Sequence, residues 1–382
     1  MKIAMVTPVY PPHMGGIEIF TESLSRGLQE RGDVVTVYHP ANMDVERNNL
    51  PVIKHILNFF RAVSFLKTIP CGNVDIIHVQ QTEPSLWYPF LLKRMYPDIP
   101  VIVHCHTLMI TDSGKEYCKL HFTLKGIARY LFMVLPAEFL EKKSIRSADH
   151  VIAVTPEVAD ICRSIRNSQV SLVLNGIHIE DFPLRTNIET HKPFRIFCPG
   201  RLIAEKGWIY LVEALPKILS EIDAEVIFSG SDAEGYKSVM MKCSGELGVS
   251  DRIQYLDGAD FPALIKCQSE CDLVVIPWVA EMFGLSVFEN LAMGNIIVCT
   301  DVGGISRFVR DRDAVLLVEP ANPDQLASAV VEGLKNISLR DHIHRTAPER
   351  AKEYDIRRTV DQIRKLHREI GLGIRQNNGF NE

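Results

Sequence analysis

The chain has 382 residues, more than a single domain usually has, so two domains are expected. Charged residues make up 23% and hydrophobic residues 46%, as in ordinary globular proteins. The net charge of −5 argues against a nucleic-acid-binding protein, whose domain would be basic. Residues 1–182 are balanced, with 18 Lys and Arg against 18 Asp and Glu, so the remainder carries the whole acidic excess.

The cysteines and the apolar runs predict the compartment. Nine cysteines are scattered between Cys71 and Cys299 without a Cys-x-x-Cys pair, which favours reduced thiols in a cytoplasmic protein. The first apolar run is short and ends before Pro11-Pro12, which predicts a strand and not a signal peptide. No apolar run approaches the ~18 residues that a membrane-spanning helix needs. We expect a cytoplasmic protein, either soluble or peripheral on the inner face of the membrane.

The first half of the chain alternates predicted strands and helices. A strand over residues 2–6 leads through a glycine-containing loop to a helix over residues 18–31, with Gly32 as its C-terminal cap. The next strand covers residues 34–38. Such βαβ units imply a parallel, doubly wound sheet. Four later apolar runs predict further strands of this sheet, over residues 75–79, 101–103, 151–154 and 172–174.

A linker is predicted over residues 183–193, after which the alternation restarts. Six strands are predicted in the second half, over residues 194–197, 224–228, 253–255, 273–276, 296–299 and 315–318. Helices are predicted over residues 209–219, 323–334 and 357–369. The sequence therefore predicts two Rossmann-like domains of α/β class that face a central cleft. The expected domains are 1–183, joined by a C-terminal helix at about 355–371, and 184–354, with 372–382 as a disordered tail.

The stretch from Glu281 to Glu289 carries the strongest functional pattern. It follows the apolar run 272–277 and turns at Phe283-Gly284-Leu285 into a helical pattern. A helix N-terminus behind a glycine is a ready anion site, and Glu281 and Glu289, about two helical turns into the pattern, could face one ligand. The alternative interpretation is a strand–helix–strand unit with surface glutamates.

Gly200-Arg201 and Lys206-Gly207 open the second half, immediately after its first strand. An arginine fork and a lysine point charge, five residues apart across a strand-to-helix turn, could converge on one diphosphate. The alternative is two solvated cations beside a helix start. Neither Gly-x-Gly-x-x-Gly nor Gly-x4-Gly-Lys-Ser/Thr is present, which weighs against NAD-dependent oxidoreductases and P-loop enzymes.

Two patterns raise the possibility of a metal site. His104 and His106 face the same way on a predicted strand, but no third ligand is evident from the sequence. Asp311-Arg-Asp313 matches a metal-binding triplet. It lies in a loop, however, where solvated surface side chains are the favoured interpretation. We expect no bound metal, and we interpret His106 as a site residue and His104 as structural, as is His78.

Taken together, these patterns resemble family 4 retaining glycosyltransferases of the GT-B fold, also called glycosyl transferases group 1. The resemblance covers nearly the whole chain. The matching motifs are Gly15-Gly16-Ile-Glu18, Val101–His106, Ala148–Thr155, Asn175-Gly176, Gly200-Arg201, Lys206-Gly207, Gly230, Glu281–Gly284, Glu289 and Asp301–Gly304.

The resemblance implies a role for each matching residue. Arg201 and Lys206 would hold the diphosphate of a nucleotide sugar, and Glu289 would accept hydrogen bonds from its ribose. Glu281 and the backbone of the Phe283-Gly284-Leu285 turn would contact the donor sugar and the β-phosphate. The catalytic candidates are His106, which would face the reacting sugar, with Glu281, Arg201 and Lys206. The donor-binding set also includes Gly15, Gly16, Gly200, Gly230 and Met282.

Three positions depart from the family pattern. Ser306-Arg307 replaces a usual Pro-Glu pair, Asn295-Ile296 replaces a proline-containing pair, and Asn290 replaces a small residue. None of these substitutions removes a predicted ligand contact, so they are interpreted as altered packing or donor preference.

Residues 115–146 are both basic and aromatic, with seven Lys and Arg against three Glu. Residues 52–69 form a second apolar stretch with interspersed cations. Basic amphipathic segments favour anionic lipid surfaces, and the alternative is a core-facing helix with one wet face.

The expected function is a retaining hexosyl transfer from a nucleotide-diphosphate sugar, UDP-sugar before GDP-sugar, to a saccharide, lipid-linked or small-molecule acceptor. The first domain would bind the acceptor and the second the donor. No metal and no cofactor are expected to be required, and no nucleic-acid partner is expected. The alternatives are a sugar-nucleotide-binding protein without turnover and a sugar-nucleotide epimerase on the same fold.

Overall fold

The structure is a computed structural model of the chain. It describes residues 1–8, 10, 16–40, 63–69, 73–82, 85–106, 108, 135–166, 169–185, 190–232, 235–281 and 283–378. Of the predicted site residues, Gly15 and Met282 lie outside these ranges, as do most of residues 52–69 and residues 115–134 of the two amphipathic stretches.

The chain forms two compact units, one of Met1–Gly176 with Ile356–Glu382 and the other of Ile177–Asp355. The boundary therefore lies about seven residues before the predicted one at 183, because Ile177 already forms a bridge with Asp355 inside the second unit. The final helix belongs to the first unit and continues to Asn378, past residue 371 where the sequence predicted a disordered tail.

The first unit contains a six-stranded parallel sheet in the order β2-β1-β3-β4-β5-β6. Its strands are β1 (Lys2–Val6), β2 (Val34–Tyr38), β3 (Ile76–Gln81), β4 (Val101–Cys105), β5 (His150–Ala153) and β6 (Val170–Leu172). Its helices are α1 (Gly16–Glu30), α2 (Tyr88–Met95), α3 (Leu135–Ser147), α4 (Pro156–Ile165) and the final helix (Ile356–Asn378). Strand β6 begins two residues earlier than predicted because its register with β5 pairs Val170 with Val151.

The inner strands β1, β3 and β4 are buried on both faces along nearly their whole length, whereas the edge strands β2 and β6 are partly exposed. On one face, Phe20, Leu24 and Leu28 of α1 pack with Val360 and Ile363 of the final helix. Gly27 lets these two helices approach, since a Cβ placed there would lie 2.6 Å from the Val360 side chain. The final helix is therefore part of the first hydrophobic core although it is last in the sequence.

The second unit repeats the architecture with the strand order β12-β11-β10-β7-β8-β9. Its strands are β7 (Phe194–Pro199), β8 (Ala224–Ser229), β9 (Ile253–Leu256), β10 (Leu273–Ile276), β11 (Ile297–Thr300) and β12 (Leu316–Val318). Its helices are α5 (Trp208–Glu221), α6 (Tyr236–Glu246), α7 (Phe261–Glu270), α8 (Leu285–Ala292), α9 (Pro323–Lys335) and α10 (Ile337–Ala351); the final helix is α11. None of the helices that the structure describes combines the length and the apolar character needed to cross a bilayer.

Candidate active site

The predicted donor site lies where the strand order of the second sheet reverses. Strands β7 and β10 are hydrogen-bonded neighbours, yet the chain runs outward from β7 to β9 before it returns to β10. Loops at the carboxyl ends of such strands diverge and leave a crevice, which is where open α/β sheets bind ligands. Arg201 and Lys206 follow β7, and Glu281 and Gly284 follow β10.

Two glycines let the loops after β7 and β8 touch. Gly200 and Gly230 have φ values of +130° and +150°, and a Cβ on Gly230 would lie 2.1 Å from the Gly200 carbonyl oxygen. The Gly200 N–H donates to the Ser229 carbonyl at 2.8 Å, and the Leu202 N–H donates to the Ser231 carbonyl at 2.9 Å. Any side chain at Gly230 would separate the loops, so both positions require glycine.

A second close contact joins the loop after β7 to the loop after β10. The N–H groups of Val279 and Ala280 donate to the Glu205 carbonyl at 2.9 and 3.3 Å. Gly207 has a φ of +65°, and a Cβ there would lie 1.9 Å from the carbonyl oxygen of Pro277. The turn that carries Lys206 is therefore mounted directly on the segment that leads to Glu281.

The Lys206 ammonium forms an ion pair across this contact. Its Nζ lies 2.5 Å from Oε2 of Glu281 and 3.9 Å from the centre of the Trp278 ring. The two charged side chains are only 14% and 27% exposed, so the ion pair is shielded from bulk water on most sides. The sequence predicted that both residues serve one ligand, and the structure brings their charged groups into direct contact.

Arg201 differs from Lys206 in being exposed. Among the residues that the structure describes, its guanidinium makes no ion pair. Its backbone is fixed, because the indole N–H of the buried Trp208 donates to the Arg201 carbonyl at 2.9 Å. The cation thus extends into solvent from an anchored main chain, an arrangement suited to an incoming anion.

The predicted glycine turn ahead of a helix N-terminus is present. Helix α8 begins at Leu285, directly after Gly284, whose φ of +72° is left-handed. A Cβ on Gly284 would lie 2.5 Å from Cζ3 of Trp278, so the turn can reach this position only with glycine. The first N–H groups of the helix have no intrahelical acceptor, and the helix dipole adds a partial positive charge.

Glu289 is the fifth residue of α8, about one helical turn from its start and not the two turns that the sequence suggested. Burial raises the pKa of its carboxyl group to about 7, and a hydrogen bond from the Ser286 side chain lowers it in part. The residue as a whole is half-buried and not fully enclosed.

Two of the departures from the family pattern bind each other. The side chains of Asn290 and Asn295 are fully buried, and Nδ2 of Asn295 donates to Oδ1 of Asn290 at 2.8 Å. Asn295 also donates to the Gln268 carbonyl at 3.0 Å, and Asn290 donates to the Ser286 carbonyl at 2.8 Å. The pair therefore links the end of α8 to helix α7.

His106 belongs to the first unit and lies just beyond β4. Its Nε2–H donates to Oε1 of Gln80 at 2.6 Å, while Nδ2 of Asn175 donates to its Nδ1 at 3.5 Å. Oε1 is the acceptor because Nε2 of Gln80 points to the Met5 sulfur. Burial lowers the pKa of His106 to about 3, so the imidazole is neutral at physiological pH.

Four histidines line up in the interior of this unit. The His104 ring stacks on His106 with centroids 4.4 Å apart and on His78 at 5.4 Å, and Nε2 of His367 lies 3.0 Å from Nδ1 of His78. The lone pairs of an imidazole lie in the plane of its ring, so these nearly parallel, stacked rings do not point their nitrogens at one shared ion. Among the described residues, no group of three or more His, Cys, Asp or Glu side chains is arranged to hold a metal ion.

Gly16 is the first residue of α1, while Phe283 and Leu285 flank Gly284 at the start of α8. Asp313 forms an ion pair with Arg350, and its Oδ1 lies 3.2 Å from Nε2 of His342. Of the amphipathic stretch, helix α3 exposes Phe139 (64%) on the same face as Lys143 and Arg146.

The sequence interpretation missed two tryptophans, one that lies beneath the Lys206 ammonium and one that donates its indole N–H to the Arg201 backbone carbonyl. Trp208 and Trp278 each directly follow a motif or strand that was recognised, yet indole rings at such positions are usually packing residues. The Lys206–Trp278 contact joins residues 72 positions apart and has no local sequence signal.

Two family models match the chain. Residues 14–181 match the model described as Glycosyltransferase Family 4, and residues 193–336 match the model described as Glycosyl transferases group 1. The chain belongs to the family 4, group 1 glycosyltransferases. This glycosyltransferase has the two-sheet α/β architecture of the GT-B fold, as the sequence predicted.

Known proteins are similar to this glycosyltransferase over nearly its whole length. An uncharacterized glycosyltransferase of Methanocaldococcus jannaschii is 28% identical over 380 residues, which covers 90% of this chain and 91% of the relative. The structure of sucrose-phosphate synthase from Thermosynechococcus elongatus aligns with a TM-score of 0.82 at 20% identity, covering 98% of this chain and 100% of that one. HepE of Anabaena, solved with UDP and glucose, aligns at 0.72 and 17% identity, covering 96% and 99%.

Proposed function

We propose that this glycosyltransferase transfers a hexosyl group from a nucleotide-diphosphate sugar, with UDP-sugar as the favoured donor and GDP-sugar the next. The observation that carries the proposal is the assembly of Lys206, Glu281 and the α8 N-terminus at the switch point of the second sheet. HepE binds UDP on the same fold, which supports the preference for a UDP-sugar.

The proposed catalysis is electrostatic. The leaving diphosphate gains negative charge as the bond to the sugar breaks, and preorganised positive groups stabilise that charge more strongly than the ground state. Lys206, Arg201 and the N–H groups after Gly284 are the positive groups of this site. They replace the neutralising role that a divalent cation has in other transferases, so the proposed reaction needs no metal.

The Lys206–Glu281 ion pair sets the order of events in this proposal. Glu281 neutralises Lys206 before the donor arrives, so a buried ammonium is not left uncompensated. When the diphosphate binds Lys206, the Glu281 carboxylate becomes available to accept hydrogen bonds from donor-sugar hydroxyl groups. Glu289 holds the ribose hydroxyls through its two acceptor oxygens.

We propose that the anomeric configuration of the sugar is retained. We propose same-face displacement assisted by the leaving phosphate and not a covalent intermediate, because none of the described carboxylates is assigned as a nucleophile. His106 would contact the sugar as a neutral polar group. It would not act as a general acid, because its pKa of about 3 leaves it unprotonated at physiological pH. Proton NMR of the fresh product decides the outcome, and an inverted anomer would contradict the proposal.

The acceptor is proposed to be a saccharide or a lipid-linked molecule.

A peripheral membrane location is also proposed. The exposed Phe139 lies on one face of α3 with Lys143 and Arg146, and such a face suits an anionic lipid surface. Sedimentation with anionic vesicles tests this proposal. Lys143→Glu with Arg146→Glu should reduce binding, whereas Arg163→Glu on α4 should not, and wild-type protein that ignores such vesicles at low salt would contradict it.

The first experiment is a thermal-shift panel of UDP, GDP, ADP and their sugars. A ligand at 100 times its Kd stabilises the folded state by about 2.7 kcal/mol, so the correct base should separate clearly from the others. Turnover assays with and without acceptors then distinguish the alternatives. An epimerase converts the donor alone, and a binding protein converts nothing.

A further inference from the structure

Trp278 occupies a central position in the donor site. It follows β10 after Pro277 and is only 4% exposed. Its backbone carbonyl accepts a hydrogen bond from the Thr300 hydroxyl at 2.5 Å, which ties this loop to strand β11. The residue is therefore held by the sheet itself and not only by its own loop.

The Trp278 ring separates the two positively charged parts of the site. The Lys206 ammonium lies over the ring at 3.9 Å from its centre, and the Gly284 backbone lies against the ring edge so closely that a Cβ there would be 2.5 Å from Cζ3. The buried indole N–H has no hydrogen-bond acceptor among the described residues, although buried tryptophans usually find one. The position of the Trp278 side chain is thus set by contacts of its ring and not by a hydrogen bond from its indole N–H.

An aromatic face restrains an ammonium group in a way that a carboxylate cannot. Lysine is a flexible point charge with three N–H donors, and Glu281 accepts one of them. The ring attracts the charge through its quadrupole and accepts no conventional hydrogen bond. An incoming diphosphate competes with Glu281 for N–H donors, but it does not compete with the ring.

We infer that Trp278 is a positioning residue, an aromatic platform that keeps the Lys206 ammonium aimed at the donor diphosphate after Glu281 releases it. The inference rests on the proposed role of Lys206 in binding that diphosphate. Because the same ring supports the Gly284 turn, Trp278 also fixes the spacing between Lys206 and the α8 N-terminus.

The test compares Trp278→Phe and Trp278→Leu, each in the wild-type and in the Lys206→Met background. Leucine keeps apolar bulk but removes the π-face, whereas phenylalanine keeps a smaller face. In the wild-type background Trp278→Leu should lower kcat about 2- to 30-fold, the range that a cation–π contact provides, and Trp278→Phe should lower it less. In the Lys206→Met background both losses should be clearly smaller, because only the contribution of the ring through the Gly284 turn remains.

A binding measurement separates positioning from general packing. Trp278→Leu should weaken the binding of UDP while leaving the Kd of uridine unchanged, because only the diphosphate contacts Lys206. If GDP or ADP gives the larger thermal shift, that nucleotide and its nucleoside are used instead. Equal weakening of nucleotide and nucleoside would overturn the inference.

The outcomes distinguish this inference from the proposed function. If Lys206→Met leaves kcat unchanged, the diphosphate role of Lys206 fails and the inference fails with it. If Lys206→Met lowers kcat but Trp278→Leu lowers it equally in both backgrounds, the proposed function stands and only the platform is refuted. Should Trp278→Leu not fold, fluorinated tryptophans incorporated at position 278 weaken the π-face at nearly constant size, and kcat should fall as fluorines are added.

Discussion

The raised pKa of Glu289 predicts a specific pH dependence of donor binding. The carboxyl group has a pKa of about 7 in the free protein because it is desolvated. If it binds the ribose, it must be ionised to offer its acceptor oxygens to two hydroxyl groups. Donor binding should therefore require the loss of a proton from Glu289 when the pH is below about 7.

The magnitude follows from the pKa. At pH 8 most of the protein already carries the ionised carboxylate, whereas at pH 6 only about one molecule in eleven does for a pKa near 7. The apparent Kd of the donor should therefore rise about tenfold between pH 8 and pH 6. Glu289→Gln should bind about 1.5–3 kcal/mol more weakly at pH 8, and its Kd should not change between these two pH values.

The assay is isothermal titration calorimetry with a UDP-sugar. Both phosphates of that ligand are esterified and remain ionised from pH 6 to pH 8, whereas the terminal phosphate of UDP titrates near pH 6 and would obscure the effect. Glu213→Gln, at an exposed position on α5, is the matched control and should keep the wild-type pH dependence. A wild-type Kd that is constant from pH 8 to pH 6 would refute the assignment of Glu289 to the ribose.

The same substitution should stabilise the fold. A carboxyl whose folded pKa lies above its unfolded value contributes stability at low pH that is lost as the pH rises through about 7. Glutamine mimics the protonated form, so Glu289→Gln should raise the free energy of unfolding at pH 8 by up to about 3 kcal/mol. Weaker binding together with a more stable protein is the pattern of a functional residue. A variant that is less stable at pH 8 would instead show that Glu289 is a structural residue.

Three further predictions concern the charged and titratable groups. Arg201→Ala and Lys206→Ala should each lower kcat by about two orders of magnitude, and the double variant should lose less than the two losses added together. Arg252→Ala serves as the control and should be near neutral. If Arg201→Ala and Lys206→Ala are also near neutral, the diphosphate role is contradicted. Activity should survive treatment with a chelator, and a loss that manganese or magnesium restores would count against electrostatic catalysis by the chain alone. Burial depresses the pKa of His106 to about 3 and that of His367 to about 4. Below pH 6.5 each histidine therefore takes up a proton only when the protein unfolds. Each should lower the free energy of unfolding by about 2 kcal/mol between pH 8 and pH 5. Urea titrations should show a smaller acid-induced loss for His367→Asn, and an unchanged loss would contradict this account.

The sequence alone was sufficient for the fold and for most of the proposed donor site. Parallel sheets buried on both faces require continuous apolar strands, and these runs are visible without tertiary information. Glycines at close backbone approaches, such as Gly207, Gly230 and Gly284, stand in local motifs whose spacing is set by a single turn. The candidate ligands around them could therefore be named from short segments.

Boundaries that depend on long-range pairing were predicted less well. The change of unit lies at Gly176–Ile177 because a bridge from Ile177 to Asp355 forms across nearly 180 residues. The start of β6 depends on its register with β5, and no local pattern specifies a register.

Only the tertiary structure decided how the charges are arranged and which pKa values are displaced. The Lys206–Glu281 ion pair, the Trp278 ring beneath the ammonium and the Asn290–Asn295 bond all depend on which loops the sheet order brings together. Desolvation of Glu289 and of the four interior histidines depends on what packs around them, since a side chain loses its water only when several distant segments surround it. Residue types and local spacing are properties of the sequence, whereas contact and burial are properties of the folded chain.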